Sequence, residues 1–150
     1  MEFVQATKED VLSIYPQLSQ RDSVALSYGK AVFAEDLIPL DGCAIAMHEG
    51  GRCIGAYGVI EMWPGVARAW SLFSEVLIEE HPRLLGLHAH KDLRKADGLG
   101  LRRIEATTDV NSEESWKFLE WLGFEREALM RKYGPSGEDM YLYARVRDEL

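Results

Sequence analysis

Apolar and polar positions at the start of the chain follow a strand pattern and then a helix pattern. Met1 to Thr7 begins as a short strand, and Thr7, which precedes two acidic residues, is typical of a helix N-cap. Val11, Leu12 and Tyr15 then fall at helical spacing. A second helical stretch is predicted from about Gln20 to Ala34.

A Gly-Gly turn joins the two clearest predicted strands. Residues 42–48 and 52–62 are rich in strand-forming residues, and Gly50-Gly51 between them is typical of a tight hairpin. Such a hairpin sets Cys53 opposite His48 rather than opposite Cys43.

The two cysteines and the N-terminal sequence bear on the compartment. Because Met1-Glu2-Phe3-Val4 does not resemble a signal peptide, we expect buried thiols instead of a disulfide, and a cytoplasmic protein. We also expect no membrane-spanning segment, since the apolar stretches are shorter than the roughly 20 residues that a span needs.

The second half alternates strands with helices. Strands are predicted at 66–73, 101–108, 124–133 and 139–146, and helices at 75–96, divided by Pro82, and at 112–122. Most of the tryptophan area is expected in the core. The order of elements predicts a single α/β domain over residues 1–150, with a mixed, mostly antiparallel sheet of six or seven strands.

Charge narrows the class of partner. The chain has 17 Lys and Arg against 25 Asp and Glu, which gives a net charge of −8. An acidic protein repels phosphate backbones and anionic lipids, so nucleic-acid and membrane partners are not expected. A small molecule or a protein is favoured as partner, and the oligomeric state is left open, a homodimer included.

The C-terminal third carries a recognisable combination of motifs. A strand at 101–109 is followed by Ser112-Glu113-Glu114-Ser115, then Phe118-Leu119-Glu120 and Leu122-Gly123-Phe124, and finally by a hairpin over 126–143. This combination resembles the GCN5-related N-acetyltransferase (GNAT) family, in the subgroup that acetylates the N termini of ribosomal proteins. A weaker resemblance is to the GNAT-like internal virion proteins of tailed phages.

The resemblance implies roles for individual residues. Ser115 matches the family serine that is thought to protonate the departing coenzyme A sulfur, although a serine at a helix start also serves its own backbone. The general base is expected among Glu61, Glu75 and Asp109, with Glu75 ranked first for its position. Acetyl-CoA is the implied co-substrate, and its implied contacts are Leu72, Phe73, Ser74, Val76, Asn111, Ser112 and Phe118.

One stretch departs from the family. Residues 72–80 contain no glycine where the family has a glycine-rich phosphate loop, and Glu75, Glu79 and Glu80 add negative charge there. The first functional hypothesis is therefore an acetyl-CoA-dependent N-acyltransferase that acts on an amine by direct transfer. The second is a catalytically inactive GNAT-like binding or assembly protein, and this hypothesis includes a protein encoded by a phage.

Other candidate sites are weaker. The histidines His81, His88 and His90 do not have the spacing of a metal site, so no metal is predicted. Gly98-Leu99-Gly100 follows a helix and is interpreted as its C-terminal cap.

Overall fold

Seven strands form one mixed sheet in the computed structural model, which describes residues 1–14, 44–134 and 136–148. The strands are β1 (Glu2–Gln5), β2 (Ala44–Glu49), β3 (Arg52–Trp63), β4 (Val66–Phe73), β5 (Arg103–Asp109), β6 (Glu125–Met130) and β7 (Met140–Val146). The helices within the described residues are α1 (Lys8–Ile14), α2 (Glu75–Glu80), α3 (Pro82–Asp97) and α4 (Glu113–Trp121). The sheet order is β1-β2-β3-β4-β5-β7-β6.

The chain divides into two compact units. The first contains residues 1–60 and 69–85, and the second contains residues 61–68 and 86–150. The predicted mixed, mostly antiparallel sheet is confirmed, and it has seven strands, the larger of the two expected numbers. The predicted helix at 20–34 and the residue Cys43 lie outside the described residues.

The predicted hairpin lies in the first unit. β2 pairs antiparallel with β1 and with β3, and His48 is the register partner of Cys53, as the turn predicts. Gly50 and Gly51 have φ angles of 59° and 77°, which residues with a Cβ rarely adopt. The core of this unit is built from residues of α1, of β2 to β4, and of the β1–α1 connection.

The helical stretch after β4 is divided into two helices, as the position of Pro82 predicts. Pro82 cannot continue the hydrogen-bond pattern of α2, so α2 ends at Glu80 and α3 begins at Pro82. On α3 the side chains of Leu85, Ala89 and Ala96 are buried at helical spacing.

The second unit holds the parallel and C-terminal strands. β4 pairs parallel with β5 over three residue pairs, from Val66↔Arg103 to Arg68↔Glu105. β5 and β6 both pair antiparallel with β7. Asp97, the last residue of α3, accepts hydrogen bonds from the guanidinium of Arg145 on β7, which ties the helix end to the sheet.

Two of the four tryptophans are exposed, which corrects the expectation that most of the tryptophan area lies in the core. Trp63 is 53% exposed because it ends β3 at the Pro64-Gly65 turn, and Trp121 is 57% exposed at the last residue of α4. Among the described residues, no helix has the length and apolar character needed to cross a bilayer.

Candidate functional site

Ser74 starts α2 and uses its polar groups inside the first unit. Its hydroxyl accepts the N–H of Leu77 at 3.2 Å, which is an N-cap bond, and its own N–H donates to the carbonyl of Ile54 on β3 at 3.1 Å. Ser74 is 1% exposed. The Ser74 N–H is therefore already used by the sheet and does not offer itself to an anion.

The next two amides of α2 differ from that of Ser74. Glu75 and Val76 are the first helical residues, whose N–H groups have no acceptor within the helix, and no acceptor is described for them elsewhere in the resolved ranges. The Glu75 side chain is exposed. These two N–H groups are what α2 can present to a ligand.

Leu72 and Phe73 form the apolar approach to α2. Leu72 is 1% exposed and belongs to the core of the first unit. The ring of Phe73 packs edge-on against Tyr57, with 6.5 Å between centroids. Both residues hold the end of β4 in place, and their predicted contacts with acetyl-CoA stay predictions.

In the second unit, two serines meet at the start of α4. Ser112 is the N-cap residue but makes no side-chain cap bond; its hydroxyl donates to Ser115 Oγ at 2.6 Å instead. A hydroxyl that accepts one hydrogen bond can still donate its own proton. Because Ser115 is exposed, that proton can be given to a group outside the helix.

The remaining predicted residues of this region have local partners. The N–H of Asn111 donates to Asp109 Oδ1 at 2.8 Å, so this candidate base serves the turn before α4. Phe118 stacks on Trp121 with 6.3 Å between ring centroids and 15° between planes. Glu61, the third candidate base, is exposed on β3.

A cation–aromatic cluster was not predicted from the sequence. The Arg126 guanidinium carbon lies 3.7 Å from the ring centroid of Tyr141 and 5.1 Å from that of Trp116, and its Nε donates to Tyr143 Oη at 3.0 Å. Tyr143 is fully buried and donates its hydroxyl proton to Glu120 at 2.6 Å. The strand pairing Arg126↔Tyr143, implicit in the predicted hairpin, was the available signal.

The surroundings of Tyr143 in this cluster shift its pKa. Burial, and then the hydrogen bond to Glu120, raise the pKa of Tyr143 above its usual value, against an opposing effect of Arg126. The phenol therefore stays protonated at neutral pH, and the cluster fastens α4 to β6 and β7.

The structure thus distributes the predicted site residues over both units. Leu72 to Val76, including Glu75, belong to the first unit, and Asn111, Ser112, Ser115 and Phe118 belong to the second. In the first unit these residues lie at the start of α2, and in the second Asn111, Ser112 and Ser115 lie at the start of α4, with Phe118 farther along that helix.

Comparison with known proteins identifies the fold. No protein-family model matches the chain, and no curated protein matches it by sequence. Solved structures do match: Ard1 from Thermoplasma volcanium has a TM-score of 0.78 and 15% identity, covering 99% of this chain and 98% of its own. YncA, a putative acetyltransferase from Salmonella typhimurium solved with its cofactor acetyl-CoA, has a TM-score of 0.74 and 15% identity, with 100% and 95% covered.

A third structure belongs to the predicted subgroup. The ribosomal-protein-alanine N-acetyltransferase from Brucella melitensis has a TM-score of 0.73 and 10% identity, and the match covers 98% of this chain and 100% of that one. The chain therefore has the fold of the GNAT acetyltransferases. At these identities the likeness concerns the fold.

Proposed function

We propose that this protein is an acetyl-CoA-dependent N-acyltransferase that acts on an amine by direct transfer. The observation that carries the proposal is the Ser112–Ser115 hydrogen bond at the start of α4, in a fold shared with acetyltransferases. Supporting it is the fact that YncA, of the same fold, was solved with acetyl-CoA.

Ser115 is proposed as the general acid. Because Ser112 donates to its oxygen, the Ser115 O–H bond is polarised and its proton is directed away from Ser112. A serine in the first turn of a helix also lies in the positive field of the helix N terminus, which favours a partly negative oxygen. Ser115 would give its proton to the departing sulfur.

Glu75 is proposed as the general base. Its carboxylate is exposed at the first helical residue of α2, so it can accept the proton of an ammonium substrate directly or through a water molecule. The acceptor is a small-molecule or protein amine. Nucleic acid and membranes are not proposed as partners, in keeping with the net charge of −8.

The described residues meet part of what the acyl donor, acetyl-CoA, requires of a binding site. Acetyl-CoA, when bound, supplies the activated acyl thioester. The N–H group of Val76 would contact it, with Leu72, Phe73, Asn111, Ser112 and Phe118 as further proposed contacts. Glu79 opposes this binding, because like charges about 4 Å apart repel by about 1 kcal/mol in water.

A second function has an observation of its own. The Ser74 N–H is occupied by Ile54, and residues 72–80 lack glycine, both of which reduce what α2 offers to a pyrophosphate. A catalytically inactive GNAT-like binding or assembly protein would have these properties. Phage origin and a cytoplasmic location stay predictions.

Thermal unfolding with and without acetyl-CoA separates the two. A ligand at 100 times its Kd adds about 2.7 kcal/mol to stability, which raises the Tm of a protein of this size by about 5–10 °C. Glu79→Gln should increase the shift at a fixed ligand concentration. An unchanged Tm at millimolar acetyl-CoA in both proteins would refute the transferase proposal.

If binding is found, release of the coenzyme A thiol with a panel of amines tests Ser115. Ser115→Ala should lower kcat at saturating acetyl-CoA by about 100-fold, the lower end of what general acids contribute. Ser136→Ala, at an exposed serine of the β6–β7 connection, is the matched control. Equal turnover in both variants would remove Ser115 from the mechanism, and binding with no turnover in any protein would favour the inactive fold.

A further inference from the structure

Three side chains that commonly ligate metals meet in the first unit. Asp10 lies in the first turn of α1, and His48 on β2 is the register partner of Cys53 on β3. One ligand atom from each lies within 4.8 Å of the other two. Asp10 is 9% exposed and Cys53 is 4% exposed, whereas the His48 side chain is 28% exposed, so the group is enclosed on two sides and reached by solvent at His48.

The donor atoms suit zinc. Thiolate sulfur, imidazole nitrogen and carboxylate oxygen bind Zn²⁺ at about 2.0–2.3 Å, which places tetrahedral ligands about 3.3–3.8 Å apart. Asp10 Oδ1 and His48 Nε2 are 2.8 Å apart and would have to separate by about 0.5–1 Å. No two of the three ligand atoms are more than 4.8 Å apart, so the widest pair would approach by at most about 1.5 Å, a movement within reach of side-chain rotation.

The carboxylate is already oriented for this role. Asp10 Oδ2 accepts the N–H of Thr7 at 2.9 Å, and the N–H of Asp10 donates to Thr7 Oγ1 at 3.2 Å. This reciprocal pair caps α1 and leaves Oδ1 directed at His48. Hydrogen bonds that fix a ligand in this way are usual around protein-bound metals.

We propose that Asp10, His48 and Cys53 form a zinc-binding site. Binding forms one bond from the ion to each residue and breaks the Cys53 S–H bond, whose proton goes to solvent. The thiolate and the carboxylate together carry two negative charges, which Zn²⁺ neutralises. A neutral assembly is what an enclosed position favours.

The thiol is not activated without a metal. Burial is the main cause that raises the pKa of Cys53, and the charge of Asp10 raises it further. The thiol also donates to the carbonyl of Gly55 at 3.3 Å.

A second group of ligand atoms supplies a rival site. Glu49, Glu80 and His81 also bring ligand atoms within 4.8 Å of one another, with His81 Nε2 2.9 Å from Glu49 Oε1. This group contains no sulfur and is more exposed. Thiolate coordination therefore distinguishes the two sites spectroscopically.

Titration of the reduced, metal-free protein with Co²⁺, a spectroscopic substitute for Zn²⁺, tests the proposal. We expect a thiolate-to-cobalt charge-transfer band that reaches its limit at one equivalent and disappears when Zn²⁺ is added. Zn²⁺ should release the Cys53 proton, measured with a pH indicator. Cys53→Ser should lose the band, and Cys43→Ser, which removes the other cysteine, should keep it.

His48→Gln keeps the proposal testable if Cys53→Ser does not fold, as judged by circular dichroism. It should weaken Zn²⁺ binding at least tenfold, because changes even in the groups that support metal ligands cost about 10–100-fold. Glu49→Gln should leave binding unchanged. The proposal would be overturned if the charge-transfer band were missing, if it depended on Cys43, or if it survived His48→Gln at full affinity. Cobalt binding that is sensitive only to Glu49→Gln would also overturn it.

Discussion

The N-cap of α2 provides a quantitative test of the structure. Ser74→Ala removes the oxygen that accepts the Leu77 N–H and leaves that N–H without its partner at a position where Leu77 is fully buried. Replacing an N-cap serine by alanine costs about 1 kcal/mol, within a range of about 0.5–2. The burial of both residues places the expected loss at or above about 1 kcal/mol.

A second substitution separates capping from packing. Ser74→Gly should cost only a few tenths of a kcal/mol, because glycine at an N-cap lets water and the backbone replace part of the lost bond. If Ser74 acted mainly by filling space, glycine would be worse than alanine. Ser71→Ala, at an exposed serine on β4, should change stability by less than about 0.5 kcal/mol.

Urea unfolding measures these differences. All variants should share one m-value, and Ser74→Ala should have a lower midpoint and a Tm reduced by about 3 °C. Equal losses for Ser74→Ala and Ser71→Ala, or a larger loss for glycine than for alanine, would show that the assigned cap bond does not stabilise α2.

Two further predictions concern packing and charge. A Cβ at residue 55 would lie 2.3 Å from the Cδ2 of buried Leu77. Gly55→Ala should therefore lower the free energy of unfolding, measured in urea titrations, by about 1–3 kcal/mol. An unchanged midpoint would contradict this packing. Arg103 lowers the pKa of Glu127 below its usual 4.5, so stability that is present above that value is lost as pH falls through the folded-state pKa. Glu127→Gln should reduce this acid loss of Tm relative to Glu125→Gln, on the same strand, and equal acid sensitivity in both would refute it.

Local signals in the sequence predict much of the fold. Gly50-Gly51 fixes the hairpin and thereby the pairing of His48 with Cys53, because turn length determines register. Pro82 divides the helical stretch because it lacks an N–H. Each of these effects acts over a few residues, which is why a single sequence is enough to find it.

Contacts between distant segments could not be predicted in the same way. Asp10 and His48 are 38 residues apart, and their hydrogen bond depends on the pairing of β1 with β2. No local sequence pattern predicts this contact. The motif that places Ser115 at a helix start is local and was found, whereas its hydrogen bond with Ser112 depends on side-chain orientation that spacing does not determine.

The four amides at the start of α2 form a built-in set of reporters. Ser74 and Leu77 have acceptors for their N–H groups, whereas none is described for Glu75 and Val76. Hydrogen–deuterium exchange should therefore be slow at the first pair and fast at the second. Any molecule that occupies this end of the helix would slow exchange at Glu75 and Val76 while Ser74 and Leu77 serve as internal standards, so occupancy can be followed without a label.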